Sequence, residues 1–323
     1  MSDDAGTAGQ ARAAAWKAWR SARRWTRTDG EASPVENCLP ASYRVGYEGY
    51  TADAHYSSLS LAFWALALES GLEDRPVDPA DHPTAWYEHF PTYRAVAHCG
   101  SVSAHVNADP ARKYDVFGLA DITFGLDRHL HFATPTEHIQ SGKIFTVGLG
   151  LRGEPGRAPV RVVAHDDFSL RELDSNPDRG ELHLAARAKG ASYGMGQHER
   201  DVYVSSSMPG LTDDTYEYRC RIQLAHDEVT VLEATPHLEG YKTLLVPYLL
   251  DGGRGCTTSV SHQGNRIVFE HGPERIELVL DSDFDPILVL DHGFESRRGF
   301  AGLVRIDLTE PTAEVRYRLV VVQ

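Results

Sequence analysis

From about residue 100 to residue 323 the apolar residues alternate with polar ones, and no stretch in between has the spacing of a helix. "SVSAHVNA", "YDVFGLADITFG", "KIFTVGLGL", "TYEYRCRIQLA", "RIELVLD" and "EVRYRLVVV" are examples of segments bounded by Asn-Pro, Asp-Gly-Gly and His-Gly-Pro turns. About fifteen such strands can be counted. Parallel strands need long crossovers, and none is available here, so the pairing must be antiparallel. That many strands stack more readily as two sheets than as one small barrel. No repeat of fixed period appears, which argues against a propeller or a β-helix. The expected fold is mainly β: a large antiparallel β-sandwich over residues 100–323.

Residues 1–72 read differently. Residues 9–26 are Ala-rich, lack Pro and Gly, and place Trp16 and Trp19 on one helical face. A second helix is expected from a cap at Thr51 or Asp53 to about Ser70, with Gly71 ending it. Its apolar residues, Leu59, Leu61, Phe63, Trp64, Leu66 and Leu68, point in most directions. A helix apolar all round needs cover on several sides. It is expected either to lie wedged between the sheets and the first helix, or to belong to a larger helical domain, or to be covered by a partner subunit. Residues 73–99, rich in Pro and Asp at their start, are read as a linker.

Hydrophobic residues make up 41% of the 323-residue chain and charged residues 24%, the balance of a globular protein. A net charge of -14 argues against nucleic acid as the main partner, because phosphates need a basic face. It leaves room for an acidic glycan bound in a local Arg/Lys groove. No apolar run is long enough to span a membrane and no signal peptide is visible, so a cytoplasmic location is expected. Cys38, Cys99, Cys220 and Cys256 are widely spaced and read as free thiols.

Two clusters carry candidate chemistry. Tyr50, Asp53, His55 and Tyr56 crowd the start of the second helix, where backbone N–H groups favour an anion. In "LDRHLHFATPTEHIQSGK", His129 and His131 share a face if they lie on one strand, with Arg128 and Lys143 nearby. His-x-His is a known metal spacing, but sixteen histidines make such pairs common. The cluster is therefore read as a polar wall for sugar, with no metal and no cofactor. Arg200, in the glycine-bearing segment 189–210, is a further substrate-binding candidate. "GRGCTT" lacks the Lys of a phosphate loop.

"GYTADAHYSSLSLAFWALA" followed by "FPTYRAVAHCGSVSAHVN" resembles the passage from the last helix of an α/α toroid into a galactose-mutarotase-like sandwich. Polysaccharide lyases of the heparinase II/III-like group are built this way. The resemblance implies β-elimination from, or binding of, a uronic-acid-containing polysaccharide or oligosaccharide. Tyr50 or Tyr56 would transfer the proton, assisted by Asp53 and His55, while Arg128, His129, His131, Lys143 and Arg200 would hold the substrate. The region before residue 73 is too short for a full toroid, so the chain looks like the C-terminal portion of such an enzyme. The alternative is a non-catalytic sandwich module that binds glycan, forms an oligomer, or docks on a helical partner subunit.

Overall fold

The computed structural model describes residues 3–28, 30, 54–72, 85–90, 94–108, 117–125, 128–132, 147–152, 160–176, 179–191, 214–251, 256–285, 288–295 and 299–322. Among these, two helices precede seventeen strands, α1 spanning Asp3–Arg24 and α2 spanning Ala54–Glu69. The strands pair in two antiparallel layers, so the protein is mainly β as the alternation requires.

The first layer contains β1 (Ala85–Phe90), β2 (Arg94–Cys99), β3 (Val102–Asn107), β4 (Gly118–Phe124), β5 (His131–Phe132) and β6 (Gly148–Arg152). It is completed by β11 (Tyr241–Asp251), β15 (Leu288–Glu295) and β16 (Phe300–Asp307). The second layer comprises β7 (Val160–Asn176), β8 (Arg179–Ala191), β9 (Tyr216–Ala225), β10 (Glu228–Ala234), β12 (Ser259–Gln263), β13 (Arg266–His271), β14 (Glu274–Leu280) and β17 (Glu314–Val321). Two strands lie within the stretch read as a linker. β1 and β2 pair with each other, and β2 pairs with β3, so the sheet begins at residue 85 rather than 100.

β5 and β6 fill one position in the first layer, end to end. Both are antiparallel to β11, β5 opposite Tyr248 and β6 opposite Tyr241 to Leu245. Both also flank β4, through Ile122 with Phe132 and through a bridge from Leu119 to Val147. The far end of β6 then pairs with β7, which carries the hydrogen bonding into the second layer.

Period-two burial builds the core. β2 buries Ala95, Ala97 and Cys99, while β9 buries Tyr218, Cys220, Ile222 and Leu224. Aromatic rings lock the layers together: Phe269 of β13 lies 4.9 Å from Phe132 and 5.4 Å from Tyr248 of the first layer. The outer face of β9, β10, β17 and β14 is instead laced with charge, as in the Arg221–Glu181, Arg318–Glu228 and Arg316–Asp281 pairs.

Several charged side chains are buried, and two of them shape the core most directly. Glu233 of β10 is buried, and its carboxylate accepts hydrogen bonds from Tyr218 Oη (2.7 Å), Tyr317 Oη (3.0 Å) and the Leu149 amide of β6 (3.0 Å). One carboxylate therefore ties the two layers together. Lys242 of β11 is fully buried, and its ammonium donates to the Leu238 carbonyl at 2.8 Å. Burial pushes its pKa down to about 8, against a smaller raising effect of Glu239.

The end of the sandwich requires one glycine. Gly100, between β2 and β3, has φ +59°, and a Cβ there would stand 2.6 Å from the His226 Cα. That close approach lets the Ser101 amide donate to the His226 carbonyl at 2.9 Å.

The helices meet through Trp19 and Trp64, whose rings form an edge-to-face pair at 5.5 Å. α2 closes with Gly71 at φ +78°, where the Gly71 and Leu72 amides donate to Leu68 and Ala67. This is the glycine stop read from the sequence, in Schellman form. α2 is not wedged between the sheets, however. Leu59, Leu61, Phe63 and Leu66 remain 53–61% exposed, because α2 turns its Trp64 side to α1 and the other sides outward.

Candidate functional site

Four consecutive residues, Arg128 to His131, cross one end of the sandwich, and each faces different surroundings. Glu274, at the start of β14, holds the crossing in place. Its two carboxylate oxygens accept from the His129 amide at 2.8 Å each, and one of them from the Leu130 amide at 2.9 Å. Those amides are thereby drawn out of the β-ladder, which is why strand geometry begins only at His131.

The consequence separates the two histidines. His129 turns toward the β13–β14 hairpin, with its ring 5.5 Å from that of His271. His131 is fully buried on the other side, with Nδ1 3.5 Å from Asp121 Oδ1 and its ring 5.3 Å from Trp25. They do not form one wall, because the condition of a shared strand fails at His129.

Arg128 belongs to a third neighbourhood. Its stem passes over Gly125, and its charge acts on Asp227, which follows His226 in the β9–β10 turn. The Asp227 carboxylate accepts from Ser101 Oγ at 2.8 Å and lies 3.1 Å from His226 Nδ1. Burial works to raise the Asp227 pKa, but the hydrogen bonds from Ser101 and His226 and the nearby cations outweigh it, and the carboxyl sits below its ordinary value.

α1 reaches this end through its last turn. Arg24 donates to the Arg128 carbonyl at 3.2 Å, and Trp25 packs on Leu249 of β11. The helical segment thus covers part of the outer face of the first layer, beside the crossing.

His271 has its own support. The Thr258 hydroxyl lies 2.6 Å from the Leu249 carbonyl and 3.1 Å from His271 Nδ1. A carbonyl cannot donate, so the single hydroxyl proton goes to Leu249 and Nδ1–H donates to Thr258. Burial lowers the pKa of this imidazole, with Glu274 and Asp251 opposing, so the ring is neutral with its lone pair on Nε2.

Of the residues expected from the sequence, the structure brings Arg128, His129 and His131 to the junction of α1 with the sandwich. His55 and Tyr56 fall in the first turn of α2, and their side chains lie outside the described residues. Tyr50, Asp53, Lys143 and Arg200 also lie outside them. Among the described residues, no three His, Cys, Asp or Glu groups are placed to hold a metal ion. Asp227, Thr258, His271 and Glu274 were not singled out by sequence reasoning. Each is ordinary in its own strand or turn and gains its place only through contacts with distant segments.

Fold and junction together define an antiparallel β-sandwich whose N-terminal helix docks beside a polar, histidine-bearing end. No known protein family matches the chain, and no curated protein shows significant similarity to it.

Proposed function

We propose that the protein is carbohydrate-active, acting on or binding an acidic glycan at the junction of the helical segment and the sandwich. One observation carries the reading: the crossing brings Arg128 and His129, consecutive but turned to different neighbours, to the end where α1 docks, which is where a lyase of the resembled architecture would hold its substrate. Arg128 supplies a cation for a uronate carboxylate, and His129 a polar partner for ring hydroxyls. The -14 charge of the chain does not oppose this, because a single guanidinium acts locally. The expected reaction is β-elimination, with Tyr56 or Tyr50 as the proton-transfer residue.

The test is a panel of uronic-acid polysaccharides incubated with the protein, read by the ultraviolet absorbance of an unsaturated uronate and by calorimetric binding. Turnover that disappears in Tyr56→Phe and weakens in Arg128→Ala supports the lyase. Binding without turnover, lost in Arg128→Ala, supports a glycan-binding module. Neither binding nor turnover in the folded protein removes the carbohydrate reading.

The exposed side chains of α2 favour a second reading, docking on a helical partner subunit. Leu59, Phe63 and Leu66 are spaced four and three residues apart and form one exposed stripe. Molar mass in solution, with a Leu59→Ser/Phe63→Ser protein as control, tests it. A monomer at every concentration, together with no partner effect of the double substitution, removes it.

A further inference from the structure

The Arg128–His131 crossing is fastened by one acid, and that acid has a competitor. Glu274 and His271 are directly opposed across the two-residue turn that joins β13 to β14. Directly opposed residues of an antiparallel pair project from the same face, with Cβ atoms about 5 Å apart. In the neutral state His271 makes no demand on Glu274, since its one N–H is given to Thr258. The carboxylate is free to hold the His129 and Leu130 amides.

We propose that this end of the sandwich is an acid-operated latch: protonation of His271 draws Glu274 off the His129 and Leu130 amides and loosens the seat of α1. The new Nε2–H needs an acceptor, and the imidazolium needs a counter-charge. Asp251 at the end of β11 and Glu274 are the carboxylates whose charge bears on this ring, and Glu274 stands opposite it. A hydrogen bond that Glu274 accepts from His271 turns its carboxylate toward the imidazolium and away from its bonds to the backbone amides of the crossing. Loss of those bonds releases the Arg128 carbonyl, to which Arg24 of α1 is anchored. The His129 ring, 5.5 Å from that of His271, is the other imidazole at this place.

The direction follows from burial. Burial holds the folded-state pKa of His271 below its ordinary value of 6.5, so the unfolded or opened chain binds the proton more readily. The closed latch is therefore fully stable above about pH 6.5 and loses stability as pH falls below it, by at most tenfold in closing constant per pH unit.

Hydrogen exchange on the full chain between about pH 8 and pH 5 tests this, expressed as protection factors to remove the intrinsic pH dependence. The expected result is a progressive loss of protection, at most about tenfold per pH unit, at the His129 and Leu130 amides, beginning below pH 6.5, while the β10 amides keep theirs. His271→Gln should hold the two amides protected across the range. Glu274→Gln should leave them weakly protected even at about pH 8, because an amide oxygen is the poorer acceptor. Unchanged protection of the wild-type amides overturns the latch, as does loss that runs in step with β10. A local loss that persists in His271→Gln removes His271 as the sensor.

Discussion

Lys242 gives the sharpest quantitative test of the fold. The side chain has no exposed surface, and its ammonium is held by one carbonyl. Burial brings its pKa from the ordinary 10.5 to about 8. A base whose folded pKa lies below its unfolded one weakens the native state wherever it is protonated. The cost is in full force below pH 8 and vanishes as pH rises to 10.5. A depression of this size corresponds to about 3 kcal/mol at pH 7. Lys242→Met keeps most of the side-chain volume and removes the charge. The Leu238 carbonyl keeps a donor, because Thr235 Oγ1 also reaches it at 3.1 Å. The substituted protein should therefore be more stable than wild type by up to about 3 kcal/mol at pH 7 in urea unfolding. The gap should shrink to below about 1 kcal/mol by about pH 10, and comparing the two proteins cancels the titration of all other groups. A less stable Met protein at pH 7, or a gap of equal size at both pH values, would show that the lysine is not carrying a burial penalty.

Glu233→Ala leaves two buried tyrosine hydroxyls and the Leu149 amide without their acceptor, and should cost about 3–5 kcal/mol in denaturant unfolding. Glu233→Gln retains an acceptor and should cost clearly less. Gly100→Ala combines an unfavourable φ with a clash against His226, and a loss of about 2 kcal/mol or more is expected in the same assay. Trp25→Ala removes the ring that seats α1 on Leu249 and His131, and should cost about 3–5 kcal/mol if α1 and the sandwich unfold together. If they unfold separately, it should instead raise hydrogen exchange along α1 alone.

The parts of the fold legible in the sequence were those written in local pattern. Alternation in segments such as β9, β14 and β17 needs no knowledge of partners, and the glycine that stops α2 acts through its own backbone. β1 and β2 escaped notice because β2 buries only Ala95, Ala97 and Cys99, small residues that carry a weak apolar signal. The acid in "VTVLEA" stands at an inward position two residues beyond Val231, a break in pattern that marks the Glu233 anchor. The site was legible only as a cluster around residue 129. Its arrangement depends on Glu274, which lies 145 residues away from His129 and cancels the strand geometry that would have put His129 and His131 together. Thr258 and His271 enter through the same kind of long-range contact.

The shared position of β5 and β6 also bears on how this protein can vary. β5 is held by Phe132 against Ile122 and Tyr248, while β6 is held by its own pairing with Tyr241 to Leu245 and by the bridge from Leu119 to Val147. Each short strand therefore keeps its register through its own partners, so a substitution that loosens one of them should leave the pairing of the other in place.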